Sequence, residues 1–237
     1  MNECEFFFGF DCRENAAYEV CVRSLRAHAS FAPVVHPLLQ AHLRGLGLYS
    51  RVHERREGRW WDVISEAPMS TEFAITRFLT PHLARTEWAL FSDSDFLWRA
   101  DVAELVAKAD SRFAVMVVKH DYAPTESVKM DGQIQTHYSR KNWSSLILWN
   151  CRHPAHAVLP RLVNEWPGRR LHAFEWLPDD CIGELPGEWN WLEGHSDPAL
   201  NAKGVHFTRG TPDMTGYENI PYADEWRACL QDGGSPV

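Results

Sequence analysis

Residues 88–97, WALFSDSDFL, place two carboxylates directly after a continuous apolar run. The run predicts a buried β-strand, and side chains at positions i and i+2 of extended backbone point to the same side. Asp93 and Asp95 can therefore converge on one point at the end of this strand. Two carboxylates about 4 Å apart repel by roughly 4 kcal/mol at an effective dielectric of ~20, and a bound metal converts that repulsion into attraction. The pair indicates a divalent-cation site, and a helix N-cap or a surface turn is the alternative.

The composition is that of an ordinary globular protein. The chain has 237 residues, and 24 Lys and Arg against 32 Asp and Glu give it a net charge of −8. This length predicts one α/β domain over residues 1–237 rather than two independent domains. The negative charge disfavours binding to nucleic acid, although it leaves room for a local basic site that binds a small phosphate.

The sequence has no feature of a membrane-spanning or secreted protein. No run of eighteen apolar residues occurs, and residues 1–5 are acidic where a secretory signal would be basic. We therefore expect a cytoplasmic protein without an integral membrane segment. The six cysteines are irregularly spaced and favour free buried thiols. Eleven tryptophans suit flat ligands such as sugars and nucleobases, and core packing is the alternative.

Strand and helix patterns alternate along the chain. Apolar runs predict strands at residues 5–10, 31–37, 88–92, 112–119, 144–150 and 203–207. Helical patterns occupy residues 14–28, 70–83, 101–108 and 153–165. Polar stretches at 51–59 and 121–141 predict loops, and the second is long enough to close over a ligand. The alternation predicts a mostly parallel sheet covered by helices on both faces.

Candidate metal ligands follow several of the predicted strands. Asp11, the Asp93 and Asp95 pair, and His206 all fall at the carboxyl ends of strands, where open α/β sheets bind their ligands. Two carboxylates and one imidazole suit Mn²⁺ better than Ca²⁺, and Mg²⁺ is also compatible with this set. For His206 the alternative is a core histidine with satisfied hydrogen bonds.

Six segments, taken in chain order, resemble the successive motifs of retaining GT-A glycosyltransferases of the glycogenin and bacterial galactosyltransferase type (glycosyltransferase family 8). They are residues 8–11, 73–83, 91–95, 143–150, 177–180 and 205–208. The resemblance extends over nearly the whole chain and implies the GT-A fold. It also implies that Asp93, Asp95 and His206 hold Mn²⁺ against the diphosphate of a nucleotide sugar. Ser94 falls within the same donor-binding motif.

The resemblance implies roles for four further residues. Asp11 matches the strand end that lies against the nucleoside, and Arg77 matches a basic residue that contacts the donor. Asp179 and Asp180 match a polar pair near the transferred sugar, and the second position is nearer its anomeric carbon. Asp180 would stabilise an oxocarbenium-like sugar or briefly attack it.

The sequence departs from the family pattern at several positions. Trp143 and Ser145 replace a small Asn and Gly, Asp180 stands where many relatives have Gln, and the lysine that often follows the late histidine is absent. Arg209 is either a phosphate ligand in place of that lysine or a surface arginine. Residues 189–191, Trp-Asn-Trp, resemble an element that follows the acidic pair and could form an aromatic wall for a sugar or part of the core.

These observations predict a Mn²⁺-dependent (or Mg²⁺-dependent) retaining glycosyltransferase. It would move a hexose from a nucleotide sugar, a UDP-sugar, to an unidentified glycan, small-molecule or protein acceptor. One alternative is a metal-dependent phosphotransferase or nucleotidyltransferase, although the chain lacks a glycine-rich Lys-Ser/Thr phosphate loop. The other is a carbohydrate-binding protein without turnover, whose sugar binding would be independent of metal.

Overall fold

The computed structural model describes residues 3–120 and 140–231. Its strands are β1 (Cys4–Gly9), β2 (Val34–Leu38), β3 (His53–Arg56), β4 (Arg59–Asp62), β5 (Ala67–Pro68), β6 (Trp88–Ser92), β7 (Phe96–Trp98), β8 (Val115–Val117), β9 (Leu146–Asn150), β10 (Ile182–Glu184), β11 (Trp191–Leu192) and β12 (Gly204–His206). Its α-helices are α1 (Asn15–His28), α2 (Gln40–Gly45), α3 (Thr80–Leu83), α4 (Ala103–Val106), α5 (Leu159–Glu165), α6 (Gly168–His172) and α7 (Ala223–Gln231).

A six-stranded sheet forms the centre of the fold, in the order β10-β8-β9-β6-β1-β2. β9 runs antiparallel to its neighbours β6 and β8, and the other pairs are parallel. Alternate residues of β6 enter opposite cores, because Ala89 and Phe91 join one buried cluster and Leu90 joins the other. The sheet is therefore covered on both faces, which confirms the predicted fold class.

A small second sheet, in the order β11-β12-β7, brings distant parts of the sequence together. β7 follows β6 after the short turn that carries Asp93 and Asp95. β12 runs antiparallel to β7 with His206 opposite Phe96, and the Phe207 amide donates to the Asp95 carbonyl at 2.9 Å. This register places a residue from late in the chain beside the acidic turn.

Helix α1 packs against β7 and against the C-terminal helix α7. Its buried residues Val20, Cys21 and Leu25 lie on one face. A 3₁₀ turn at Cys12–Glu14 precedes the helix, and the Asp11 side chain caps that turn by accepting from the Arg13 amide. Within the described ranges, no helix has both the length and the apolar character needed to cross a lipid bilayer.

The loop predicted at residues 51–59 is wrong, because much of it forms a β-hairpin. β3 and β4 pair with Arg56 opposite Arg59. The two turn residues, Glu57 (φ 50°) and Gly58 (φ 80°), both have left-handed backbone, as a tight type I′ hairpin turn requires. The predicted loop at 121–141 falls outside the described residues except for Arg140 and Lys141.

The helix predicted over residues 70–83 is also mostly wrong. Residues 72–75 form turns, Thr76–Leu79 form a 3₁₀ helix, and only Thr80–Leu83 are α-helical. All four residues of the 3₁₀ helix are buried, the polar Thr76 and Arg77 included, so this turn has no solvent-facing side. Tertiary packing therefore decides its conformation rather than a helical hydrophobic period. Pro81 lies in the first turn of α3, where proline is tolerated.

Candidate active site

The acidic turn and the late histidine form one compact cluster. Ligand atoms of Asp93, Asp95 and His206 all lie within 4.8 Å of one another. His206 Nε2 is 3.3 Å from Asp95 Oδ1 and 3.9 Å from Asp93 Oδ2. The Asp93 amide donates to the Ser145 carbonyl at 2.9 Å, which fixes the turn against the start of β9. The structure therefore brings together the three residues that the sequence analysis proposed as metal ligands.

Two buried carboxylates and the basic side chains beside them determine the electrostatics of this cluster. Burial raises the pKa of Asp93 to about 6, although Arg77 acts in the opposite direction. Burial also acts to raise the pKa of Asp95, but His206 outweighs it, so that the pKa is lowered. For His206, burial acts to lower the pKa, and the two carboxylates outweigh it and raise the pKa. The unfavourable charge pair of the two aspartates is thus compensated by neighbouring positive charge.

The donor set fits a divalent metal. Asp93 Oδ1 and Asp95 Oδ1 are buried, and neither has a hydrogen-bond partner in the part of the chain that the structure describes. Their close contacts are ionic, with Arg77 Nη1 at 2.6 Å and His206 Nε2 at 3.3 Å respectively. Two carboxylate oxygens and one imidazole nitrogen match the ligand preferences of Mn²⁺, and also allow Mg²⁺.

Arg77 lies beside this cluster, and its predicted contact with the donor stays a prediction. Its side chain is almost fully buried, and Nη1 contacts both Asp93 and the Ser144 carbonyl oxygen, which it reaches at 2.9 Å. Its Nε donates to the Ala74 carbonyl oxygen at 3.1 Å. These contacts hold a positive charge directly next to the candidate metal ligands.

The cluster opens into a cleft of about 780 Å³. The cleft is lined by Asp93, Asp95 and His206 together with Arg77, Arg209 and other polar residues of the described chain. A smaller cavity of about 420 Å³ shares Arg13 and Thr71 with it. The larger cleft has the size of a pocket for a small-molecule ligand.

Arg209 lies in the wall of the cleft and is held by a buried carboxylate. Its Nε and Nη2 donate to the two carboxylate oxygens of Glu193 at 2.9 and 2.7 Å. Gly194 makes this approach possible, because a Cβ at that position would lie 2.4 Å from the Arg209 guanidinium. The sequence is compatible with Arg209 as a phosphate ligand or as a surface arginine, and the structure places it in the cleft.

Asp11 and Ser94 are buried and do not line the cleft. The Asp11 carboxylate binds the Arg13 side chain and the Glu72 amide, so Arg13 rather than Asp11 reaches the cleft. Ser94 Oγ donates to Glu14 at 2.9 Å. These contacts give both residues a structural role. Their predicted contact with a donor stays a prediction.

Glu14 is a cleft residue that the sequence analysis did not identify. It lines the cleft, and burial followed by the nearby Asp95 charge raises the pKa of Glu14 to about 7. The only sequence signal was its position: it ends the 3₁₀ turn that follows β1, at the same end of the parallel strands as the turn after β6. A carboxylate at that edge is a candidate for contact with ligand hydroxyl groups.

Asp179 and Asp180 lie in an exposed turn before β10, apart from the cleft lining formed by the described residues. β10 pairs with β8 so that Ile182 is opposite Val115, the first residue of β8. Asp180 is therefore level with the start of the parallel strands, whereas the metal cluster follows the end of β6. Asp179 forms an ion pair with Arg140 at 2.5 Å. The structure does not bring this pair to the metal cluster, and its catalytic role stays a prediction.

The tryptophans of residues 189–191 belong to the core. Trp189 and Trp191 are buried, so neither forms a solvent-facing wall for a sugar. Asn190, between them, is fully buried and its Oδ1 lies 3.1 Å from His206 Nδ1. In this motif it is therefore the Asn190 side-chain amide, and not the tryptophan rings, that contacts a candidate site residue.

Comparison with known proteins identifies one curated relative and several structures of the same fold. The chain is 44% identical over 227 residues to Protein CDI of Arabidopsis thaliana, and the alignment covers 93% of this chain and 83% of that protein. No family model matches the chain.

The similar structures are glycosyltransferases. The apo structure of the bifunctional glycosyltransferase WbbM has a TM-score of 0.66 at 15% identity; the match covers 99% of this chain and 50% of WbbM, so the chain spans about half of that protein. The galactosyltransferase LgtC in complex with donor and acceptor sugar analogues has a TM-score of 0.60 at 14% identity, with 98% of this chain and 97% of LgtC covered. The glycosyltransferase GlyE of Streptococcus pneumoniae has a TM-score of 0.61 at 13% identity, with 96% of this chain and 61% of GlyE covered. The chain therefore has the GT-A fold and belongs to the family of Arabidopsis thaliana Protein CDI.

Proposed function

We propose that this chain is a metal-dependent glycosyltransferase that moves a hexose from a UDP-sugar to a glycan, small-molecule or protein acceptor. The observation that carries the proposal is the convergence of Asp93, Asp95 and His206 at the wall of a cleft of about 780 Å³. The GT-A fold, which the chain shares with glycosyltransferases, supports this assignment.

Asp93 and Asp95 would hold Mn²⁺ through carboxylate oxygens, and His206 would hold it through Nε2. When bound, the cation neutralises the donor diphosphate and stabilises the charge that the leaving nucleoside diphosphate gains. Mg²⁺ is the second candidate for the same ligands. The close ion pair between Arg77 and Asp93 keeps the acidic turn compact before the metal binds.

The arginines of the cleft would contribute to the same stabilisation. Arg209 is held in the wall by Glu193, and its guanidinium would face the diphosphate from the side of β12. Arg77 lies beside the metal ligands. Loss of one such preorganised contact typically costs about 3 to 4 kcal/mol of transition-state stabilisation, or a hundred- to thousand-fold in rate.

The two ends of the cleft have groups suited to the two parts of the donor. At the end near β1, Thr71 Oγ1 is buried and has no hydrogen-bond partner among the described residues, and Arg13 and Glu14 lie in the same lining. We assign the nucleoside to this end. The Asn142 amide nitrogen is similarly unpartnered within residues 3–120 and 140–231, and its left-handed backbone (φ 64°) is part of the lining near His172. We assign the sugar to this second end.

Retention of the anomeric configuration is part of the proposal. Asp180 is the candidate for a carboxylate that stabilises or attacks the sugar, as the family resemblance implies, although it lies outside the cleft lining described above. Proton NMR of the product anomer, recorded early in turnover, distinguishes retention from inversion. Asp180→Asn tests the residue separately from the stereochemistry.

The proposal is tested by calorimetric titration of UDP with and without Mn²⁺. We expect UDP binding to require Mn²⁺ in the wild type and to weaken by at least about 10- to 100-fold in Asp95→Asn, since loss of a residue that only supports a metal ligand already costs that much. Asp224→Asn is the matched control, because Asp224 is fully exposed on α7. Equal UDP affinity with and without Mn²⁺ would contradict the proposal. Sugar binding that needs neither metal nor nucleotide would instead favour a carbohydrate-binding protein, and a parallel titration with GDP tests the choice of nucleotide.

A further inference from the structure

Asn190 connects the candidate metal ligand His206 to the segment that begins β9. Its side chain is fully buried. Asn190 Oδ1 lies 3.1 Å from His206 Nδ1, and Nδ2 donates to Ser145 Oγ at 2.9 Å. Nδ2 also lies 3.5 Å from the Asn142 carbonyl oxygen. The Asn190 amide therefore contacts both the candidate metal ligand His206 and the segment of Asn142 and Ser145, at the end of the cleft assigned to the sugar.

The surrounding groups fix which way this amide points. Ser145 Oγ donates its proton to the Asn142 carbonyl oxygen at 2.7 Å, so toward Asn190 it can only accept. The Asn142 carbonyl oxygen also only accepts. The amide nitrogen of Asn190 must therefore face these two oxygens, and Oδ1 must face the imidazole.

This orientation in turn fixes the imidazole. Because Asn190 Oδ1 is an acceptor, His206 must carry a proton on Nδ1 and donate it. The other ring nitrogen, Nε2, is then the one presented to Asp95 and Asp93. Stacking of the ring on Phe96, with centroids 4.8 Å apart and an interplanar angle of 18°, fixes its plane.

The backbone around Asn190 holds the amide rigidly. Asn190 ends a 3₁₀ turn and directly precedes β11, whose Trp191 pairs with Val205 of β12. The neighbouring Trp189 is fully buried, and its carbonyl oxygen would lie 2.5 Å from a Cβ on Gly204. The strand that carries His206 thus approaches the Asn190 turn as closely as glycine allows.

We propose that Asn190 is a positioning residue, which holds His206 as the Nδ1–H tautomer so that Nε2 can bind Mn²⁺. The inference rests on the proposed function, since it needs the metal site. Through Ser145 and the Asn142 carbonyl oxygen, the same amide ties the metal ligand to the segment assigned to the donor sugar. Hydrogen-bonding partners of this kind typically change metal affinity 10- to 100-fold when they are removed.

The first test measures Mn²⁺ alone, by the electron paramagnetic resonance signal of the free ion. We expect Asn190→Leu, which removes the acceptor at similar volume, to weaken Mn²⁺ binding about 10- to 100-fold. Asn190→Asp keeps an acceptor opposite Nδ1, and the Ser145 hydroxyl can turn to donate to the second carboxylate oxygen, so this variant should bind Mn²⁺ with near wild-type affinity. A general packing defect would weaken both variants, so rescue by aspartate separates positioning from a structural role.

The second test reads the tautomer directly in metal-free wild-type protein at alkaline pH, because a metal ion bound to Nε2 would by itself force the proton onto Nδ1. Long-range proton–nitrogen NMR correlations of the His206 ring should show a protonated Nδ1 and an unprotonated Nε2. The opposite tautomer, or a folded Asn190→Leu variant that binds Mn²⁺ as tightly as wild type, would overturn the inference. If Asn190→Leu does not fold, the NMR result decides. Wild type that fails to bind Mn²⁺ would instead overturn the proposed function itself.

Discussion

Replacement of Arg77 by Met tests how the acidic turn is stabilised before any metal binds. The Arg77 side chain is 6% exposed and contacts Asp93 Oδ1 at 2.6 Å. It also donates to the Ala74 and Ser144 carbonyl oxygens. Methionine fills much of the volume but leaves the Asp93 carboxylate without its cation. Because breaking one side of a buried ion pair strands the other charge, we expect the free energy of unfolding of the metal-free protein to fall by about 3 to 5 kcal/mol.

The assay is urea denaturation followed by circular dichroism, with and without Mn²⁺. Arg161→Met is the matched control, because its ion pair with Glu165 on α5 is exposed and should be worth less than about 1 kcal/mol. Mn²⁺ at one hundred times its dissociation constant adds about 2.7 kcal/mol of stability to any protein that binds it only when folded. At the same Mn²⁺ concentration, Mn²⁺ should raise the free energy of unfolding more in Arg77→Met than in the wild type. In the variant the metal replaces the positive charge that Arg77 supplied beside Asp93. A metal-free Arg77→Met variant within about 1 kcal/mol of wild type would refute this reasoning.

Two further predictions follow from the fold. Gly194→Ala should displace Arg209, because the added Cβ would lie 2.4 Å from the guanidinium, and we expect weaker UDP binding in calorimetry. Gly47→Ala is the control, because Gly47 (φ +72°) has the same left-handed backbone as Gly194 (φ +77°) but no neighbour within 4 Å. Both variants carry backbone strain of about 1 to 2 kcal/mol, and Gly47→Ala should leave UDP binding unchanged. An equal effect of both variants would contradict the role of Gly194. Burial lowers the pKa of His156 from 6.5 to about 4. As the pH drops, His156 is therefore protonated in the unfolded chain before it is protonated in the folded protein. The free energy of unfolding should fall by up to about 3 kcal/mol between about pH 6.5 and about pH 4. His156→Gln should remove that part of the pH dependence in urea titrations at each pH, and an unchanged slope would contradict the assignment.

The metal cluster illustrates what the sequence could predict. The convergence of Asp93 and Asp95 follows from local geometry, since a buried apolar strand that ends in Asp-x-Asp points both carboxylates the same way. The placement of His206 beside them depends on the antiparallel register of β12 with β7, which pairs residues far apart in the chain. No local pattern encodes such a pairing; the position of His206 at the end of a predicted strand made it a candidate, and the family resemblance supported the same choice.

Other parts of the site could not be predicted, because they depend on tertiary contacts that produce no periodic pattern in the sequence. Glu14 and Asn190 became candidates only when the folded chain placed them beside Asp95 and His206. Asp11 had the expected position at a strand end, but Arg13 binds its carboxylate and covers it. The β3–β4 hairpin had a local signal in its glycine-bearing turn, but neither strand has the alternating apolar pattern of a half-buried strand: β3 has no apolar residue, and β4 has two adjacent tryptophans.

The central claim is that a divalent cation binds between Asp93, Asp95 and His206 and holds the donor diphosphate. Crystals grown with UDP and Mn²⁺ and measured at the manganese absorption edge test it most directly. We predict one strong anomalous peak within bonding distance of both carboxylates, of His206 Nε2 and of the UDP phosphate oxygens. Ordered UDP with the manganese peak elsewhere, or with no peak at these three residues, would contradict the claim.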